Sequence, residues 1–189
     1  MILSVICPAL ICRDGMSPIL HSIADQASGK PVELLVLADN GAMSIGEKMN
    51  HLYTMARGEW TAAVADDDNV TPDYVDSLLE VLQDKAPDAV TFDFQYVGER
   101  CKSPAGIPGG ASVQRRGLHP VAAIRTSICR EFDCPKISQG EDSVMRNWLS
   151  KRVHDVERIK RVLYRYNFRP AKPEFYGNLC RPVGMGVNL

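Results

Sequence analysis

No stretch of this 189-residue chain approaches the roughly 20 consecutive apolar residues that a membrane-spanning helix needs. The first dozen residues, Met1 to Cys12, are apolar enough to resemble a secretion signal. They lack a basic leading region, however, and Pro8 interrupts them, so they read as a buried strand and a cytoplasmic location is expected. Cys7, Cys12, Cys101, Cys129, Cys134 and Cys180 form no Cys-x-x-Cys pair, and no His-x-x-x-His accompanies them. That counts against structural zinc and favours buried, reduced thiols. Internal repeats and low-complexity runs are also missing, which excludes solenoids and disordered tracts.

What is present is an ordinary globular composition, 45% hydrophobic and 24% charged, of a length that suits one compact domain. The net charge of −1 conceals two unlike halves. Residues 1–94 carry 5 Lys/Arg against 15 Asp/Glu, a net −10; residues 95–189 carry 17 against 8, a net +9. An acidic half joined to a basic half fits a cation site facing a phosphate-rich ligand, or else chance clustering of solvated faces.

Apolar periodicity gives an alternating pattern. Ile2–Cys7, Val32–Leu37, Trp60–Ala65 and the alternating Ala89–Tyr96 read as strands. Helices are expected after Ser17-Pro18, after the capping box Ser44-x-x-Glu47, and after Thr71-Pro72. This predicts an α/β fold, a mainly parallel sheet flanked by helices, with ligands bound beyond the carboxyl ends of the strands. The second half is less regular. Gly98–Gly117 reads as a long loop, Pro120–Arg130 as helical, Gly140-Glu141-Asp142 as a helix start, Arg158–Tyr166 as a late strand, and Phe168–Leu189 as coil. The expected organisation is one domain in two halves, residues 1–97 and 98–167, with a tail at 168–189.

Three adjacent carboxylates, Asp66-Asp67-Asp68, follow the third strand. Like charges so placed repel, and a divalent cation removes the penalty; carboxylate oxygens suit Mg²⁺ or Mn²⁺. The alternatives are an acidic turn before the next helix or an EF-hand loop, but the latter's central glycine and terminal glutamate are missing. Asp39 ends the second strand, where it can read a nucleotide or form an Asx turn with Asn40-Gly41. Glu141 and Asp142 either complement a helix dipole or supply a general base. In the loop, Lys102, Arg115 and Arg116 lie among five glycines, a composition that fits a lid closing on a diphosphate.

Taken together these residues resemble family 2 glycosyltransferases. Ser4-Val-Ile-Cys-Pro8, Glu33 to Asp39-Asn40, Lys48-Met-Asn50, Ala56-Arg-Gly58-Glu59-Trp60, the aspartates with Pro72-Asp73-Tyr74, and Gly140-Glu141-Asp142 follow that family's order over residues 2–166. The resemblance implies a GT-A, Rossmann-like fold and a nucleotide-sugar donor. It implies donor contacts at Pro8, Arg13, Asp39, Lys48, Asn50, Asp66, Asp67, Arg115 and Arg116. The metal, Mn²⁺ or Mg²⁺, would sit on Asp68 and Asp66 of an Asp-x-Asp motif, with Asp142 or Glu141 as catalytic base. The implied reaction is inverting transfer of a hexosyl or pentosyl group to an acceptor hydroxyl. Two departures stand out. Ala65 occupies the place where many members start the acidic cluster with aspartate, and Gln-x-x-Arg-Trp is absent, so one sugar per encounter is expected. The basic half suits an anionic acceptor such as an acidic glycan, a lipid-linked phosphate or modified DNA.

Two other functions compete. A nucleotidyltransferase would carry a Gly-rich basic loop after its first strand, where Pro8–Gly15 has only Arg13 and one glycine. A nucleic-acid-binding module would account for the basic half without chemistry.

Overall fold

A computed structural model of the chain describes residues 1–11, 18–97, 112–115, 117–138 and 140–167. Strand β1 (Leu3–Leu10) lies between β2 (Val32–Asp39) and β3 (Trp60–Ala63), parallel to both. Beyond β3 come the antiparallel β7 (Ala123–Arg125), then β5 (Ala89–Val97), β8 (Val156–Asn167) and the two-residue β4 (Asn69–Val70); β6 (Ser112–Arg115) pairs with β5 off this path. The long pairings, β1 with β2 and β5 with β8, are parallel, and the antiparallel pairings are short. The sheet is therefore mainly parallel, as the alternating pattern predicts.

Helices cover both faces. On one side α1 (Pro18–Ala27) and α3 (Tyr74–Lys85) pack Ile19, Ile23, Leu78 and Leu82 against Val5, Cys7, Ala62 and Phe92. On the other, α2 (Ile45–Met55), α4 (Thr126–Arg130) and α5 (Glu141–Leu149) pack Leu52, Tyr53, Cys129, Met145 and Leu149 against Ile6, Ala63 and Ile124. Successive β1 residues thus feed opposite layers, which is the period-two pleat at work. Each fully buried Leu or Ile contributes about 1.5–3 kcal/mol through removal from water. Cys7, Cys129 and Cys134 are buried and outside any disulfide among the described residues; Cys12, Cys101 and Cys180 lie outside those residues.

The capping box forms in full: Ser44 Oγ accepts from the Glu47 N–H at 3.2 Å, and Glu47 Oε2 accepts from the Ser44 N–H at 3.0 Å. The Arg57-Gly58 pair has a structural job. Glu33, buried in β2, accepts from Ser4 Oγ at 2.6 Å, from the Arg57 N–H at 2.6 Å and from Arg57 Nε at 2.9 Å. Gly58 donates to Ser4 Oγ at 2.8 Å, and a Cβ there would stand 2.4 Å from the Ser4 backbone nitrogen.

Several sequence expectations change. The stretch read as a loop, 98–117, contains β6, whose Ser-Val-Gln-Arg offers one apolar residue and so no strand signal; the rest of it, the lid cations Lys102 and Arg116 included, is almost wholly outside the described residues. Pro120–Arg130, read as helical, holds β7 and only the short α4. Its apolar run is too short for periodicity to separate helix from strand. Helix α3 starts at Tyr74 with Asp73 at its N-cap, not at Thr71-Pro72, and β3 stops at Ala63. The late strand runs longer than expected and breaks register twice against β5, between Phe92 and Phe94.

Candidate active site

Strands β1, β2, β3, β5 and β8 all run in one direction, so their carboxyl ends share an edge of the sheet. A cleft of about 500 Å³ opens there. The end of β1 and the loop residues that follow β2 and β3 line one part of it; the 119–121 segment entering β7, the start of α5 and the end of β8 line the other. This is where an open α/β sheet binds ligands, because helix starts and loop groups converge beyond the strand ends.

The cleft gathers Pro8, Lys48, Asp66, Asp67, Asp68, Glu141 and Asp142 from distant parts of the chain. Asp66 is buried, and its Oδ2 accepts from the Leu10 N–H at 3.0 Å, which ties the aspartate loop to the end of β1. Asp68 is deeper, 3% exposed. Its Oδ2 accepts from the Tyr164 hydroxyl at 2.6 Å and its Oδ1 from the Asn167 N–H at 2.8 Å. Asn167 Nδ2 adds a bond to the Asp67 carbonyl at 2.6 Å. Tyr164 also accepts from the Ala65 N–H at 3.0 Å, so β8 grips the whole loop. Burial first, then the Asp68 charge, lifts the Tyr164 hydroxyl well above its ordinary range, which keeps it a donor. Asp68 itself is pushed up to about 6 by burial; the Tyr164 and Asn167 bonds pull the other way, and the Asp67 and Asp66 charges add to the rise. The register breaks in β8 bring Tyr164 opposite Phe94, 5.3 Å ring to ring, and a bulge beside a site commonly re-aims a side chain in this way.

On the opposite wall, α5 begins at Glu141 after Gly140, which has φ of +84°. Glu141 Oε2 is buried with no hydrogen-bond partner among the described residues. Burial, and behind it the Asp142 charge, pushes Glu141 above its ordinary value. Asp142 is half exposed, and its Oδ2 stands 3.5 Å from His119 Nε2. His119 is 15% exposed and meets Phe94 edge-on at 5.9 Å.

Other residues expected at the donor site divide. Lys48 lines the cleft although it is 2% exposed. Its Nζ donates to the Ala9 carbonyl at 2.6 Å and pairs with Asp39. Asp39 does not itself line the cleft. It forms the turn: Oδ1 accepts from the Gly41 N–H at 2.9 Å and Oδ2 from the Met43 N–H at 2.6 Å, so it holds the Asn40–Met43 rim in place. Desolvation raises Asp39, but Lys48 and those two N–H groups outweigh it and hold the carboxyl below its ordinary value. Asn50 does not reach the cleft either; it clamps Cys134 through both backbone groups, at 2.8 and 3.1 Å. Lys48 and Asn50 are two apart on α2, and residues so spaced point to different helix faces. Arg13 and Arg116 lie outside the described residues, and Arg115 is placed by its backbone in β6. His119, Tyr164 and Asn167 were not singled out by sequence reasoning.

Among the described residues no group of three or more His, Cys, Asp or Glu side chains converges as a ready-made metal cage, and no helix is long and apolar enough to cross a membrane. A cage is not required for Mg²⁺ or Mn²⁺ beside a diphosphate, where one or two carboxylates suffice and phosphate and water supply the rest. Asp66 and Asp68 fit that requirement, each oriented by hydrogen bonds from a neighbouring element in the way that ligating carboxylates usually are.

No family model and no curated protein matches the chain. Solved structures do. S. aureus TarS residues 1–349 in complex with UDP-GlcNAc superposes with a TM-score of 0.65 at 15% identity, over 95% of this chain and 64% of that one. Full S. aureus TarS matches at 0.62 and 14% identity, over 89% of this chain and 37% of that one, so the present chain spans less than two thirds of these TarS chains. Glucosyl-3-phosphoglycerate synthase from Mycobacterium tuberculosis, in complex with Mn²⁺, UDP and phosphoglyceric acid, matches at 0.59 and 14% identity, over 96% of this chain and 75% of that one. The chain has the GT-A fold of family 2-like glycosyltransferases.

Proposed function

We propose that this chain moves one sugar from a nucleoside-diphosphate sugar to an acceptor hydroxyl, with inversion at the anomeric carbon. The observation that carries the reading is a single cleft holding Asp66–Asp68 on one wall and Glu141-Asp142 on the other, at the carboxyl edge of a GT-A sheet. The solved structures with this fold include complexes with UDP-GlcNAc and with UDP and Mn²⁺, which supports a nucleotide-sugar donor and a divalent cation.

Asp68 and Asp66 would hold the cation. A Mn²⁺ or Mg²⁺ ion bound there would set positive charge against the leaving diphosphate. Lys48 and the Asn40–Met43 rim line the donor side of the cleft, together with Pro8 and Asp67. Asp142 takes the proton from the acceptor hydroxyl as that oxygen attacks the anomeric carbon. The bond from that carbon to the diphosphate breaks, its electron pair leaves with the nucleotide, and no covalent sugar–enzyme intermediate forms. Glu141, whose Oε2 is buried beside the base with no hydrogen-bond partner among the described residues, would accept a hydrogen bond from a substrate hydroxyl.

The test uses Asp142→Asn. Thermal shift with UDP and other nucleoside diphosphates, with and without Mn²⁺, measures donor-site binding; release of nucleoside diphosphate from matching sugars measures turnover. A base acts mainly in the transition state, so kcat should fall by roughly 10²–10⁴ while nucleotide affinity stays within a few-fold. If no nucleoside diphosphate stabilises the wild type in Mn²⁺, or if the variant turns over normally, the reading fails.

A further inference from the structure

Asp142 occupies the first turn of α5 and is half exposed, so its own helix does little to fix its rotamer. Among the described residues, the side chain that the geometry brings to its carboxylate is the His119 imidazole, with Nε2 3.5 Å from Oδ2. His119 is well placed to be rigid. It is 15% exposed, its ring meets Phe94 of β5 edge-on, and its carbonyl accepts from the Ala122 N–H at 2.9 Å in the turn that enters β7. It lies in the same cleft as the aspartate loop, so the pair spans the gap between the sheet edge and α5.

From this geometry we infer that His119 is a positioning residue for the catalytic carboxylate. Its Nε2–H binds Asp142 Oδ2 and turns Oδ1 toward the acceptor hydroxyl. The inference rests on the reading of Asp142 as the base and adds a residue to it. A separation of 3.5 Å is long for a hydrogen bond, but catalytic contacts without substrate are often long and tighten in the complex. The logic is that of an acid–base pair in which one member orients the other by holding its far atom. Among the described residues, the other titratable groups around this pair are Glu141 on α5, Asp66, Asp67 and Asp68 on the β3 loop, Tyr164 and Tyr166 on β8, Lys48 and Tyr53 on α2, and Cys134. Of these, Glu141 is the immediate chain neighbour of Asp142, so a control must separate its effect.

Two measurements test the pair. The first needs no acceptor. Imidazole resonances of the four histidines are titrated by NMR, and the His119 signal is identified by its loss in His119→Gln. In Asp142→Asn the His119 midpoint should fall, because an anion within roughly 4–6 Å favours the charged imidazole. In Glu141→Gln it should fall less. The second is turnover of the donor that Mn²⁺-dependent thermal shift selects. His119→Ala should lower kcat roughly 10- to 100-fold with KM for the donor within about two-fold, and His119→Gln, which keeps an N–H donor, should recover most of the loss. An unmoved His119 midpoint in Asp142→Asn, or normal kcat in His119→Ala while Asp142→Asn is inactive, overturns the positioning role and leaves the function standing. Normal turnover in Asp142→Asn overturns the function and this role with it.

Discussion

Replacing Asp68 by asparagine should change stability in opposite directions at the two ends of the pH range. In the metal-free fold Asp68 is 3% exposed and its carboxyl is raised from 3.8 to about 6, burial being the largest cause. A raised acid favours the protonated form in the fold. The stability this group lends is therefore full below its unfolded value and is lost as pH rises through about 6. At 1.36 kcal/mol per unit, the ionised carboxylate costs the metal-free protein about 3 kcal/mol above pH 7 and little near pH 4. Asparagine carries no charge, so it removes that cost. It also cannot accept both existing bonds with one oxygen: either the Tyr164 hydroxyl or the Asn167 N–H loses its acceptor, a loss of about 1 kcal/mol. The balance is a variant about 2 kcal/mol more stable than the wild type at pH 8 and about 1 kcal/mol less stable at pH 4. Urea unfolding in EDTA at both pH values measures it. At pH 8 the melting temperature should rise by roughly 4–8 °C for a domain of this size. Adding Mn²⁺ with a nucleoside diphosphate should then stabilise the wild type and leave the variant nearly unmoved, because a bound ligand adds stability only where its site survives. A stability difference that is the same at pH 4 and pH 8 would refute the buried-carboxylate reasoning.

Three further outcomes are expected. Tyr164→Phe leaves the Ala65 N–H and one Asp68 oxygen without their partner, so it should cost about 1–3 kcal/mol in urea unfolding and weaken Mn²⁺-dependent nucleotide binding; unchanged values of both would show that β8 does not hold the aspartate loop. Gly58→Ala forces a Cβ to within 2.4 Å of the Ser4 nitrogen and should cost at least about 1–3 kcal/mol, and an unshifted melting temperature would mean that the β1 contact is not tight. Glu33 is raised by desolvation but held below its ordinary 4.5 by Ser4 and Arg57, so its stabilising effect is present above that pH and lost as pH falls. Glu33→Gln should accordingly destabilise by about 1–3 kcal/mol at pH 7 and less near pH 3.5, and a pH-independent loss would contradict the assignment.

How much of this was legible in the sequence depends on the range of the interaction. The capping box at Ser44 and Glu47 was readable because donor and acceptor lie three residues apart and the geometry is local. The Asp66–Asp68 cluster was readable because its three charges demand an explanation wherever they sit, and an apolar run directly before them fixes them at a strand end. The partners of that cluster were not. Tyr164 meets Asp68 from 96 residues away, and in the sequence it is one more aromatic in a strand whose register against β5 breaks twice. His119 looks like any histidine beside a proline. It becomes part of the site only because β7 runs antiparallel to β3 and β5, so that the segment entering β7 lies at the same edge where the parallel strands end. The expected helix over Pro120–Arg130 hid that reversal, and with it the way His119 faces Asp142.

That Asp39 and Asn50, both expected to contact the donor, do not line the cleft also has physical reasons. Order along the chain says nothing about helix phase, so Lys48 and Asn50 were grouped although one turns into the cleft and the other onto Cys134. Of the two readings that its position allowed, Asp39 takes the turn. As the turn residue it fixes Gly41 and Met43, and through Lys48 it reaches the Ala9 carbonyl at the end of β1. A buried ammonium is stable only when it is paired, and breaking such a pair is typically far costlier than any exposed ion pair. The acidic residue at the end of β2 therefore serves the rim of the cleft by holding the cation that lines it. The same motif that reads as ligand recognition in sequence acts, in the fold, one layer behind the lining of the cleft.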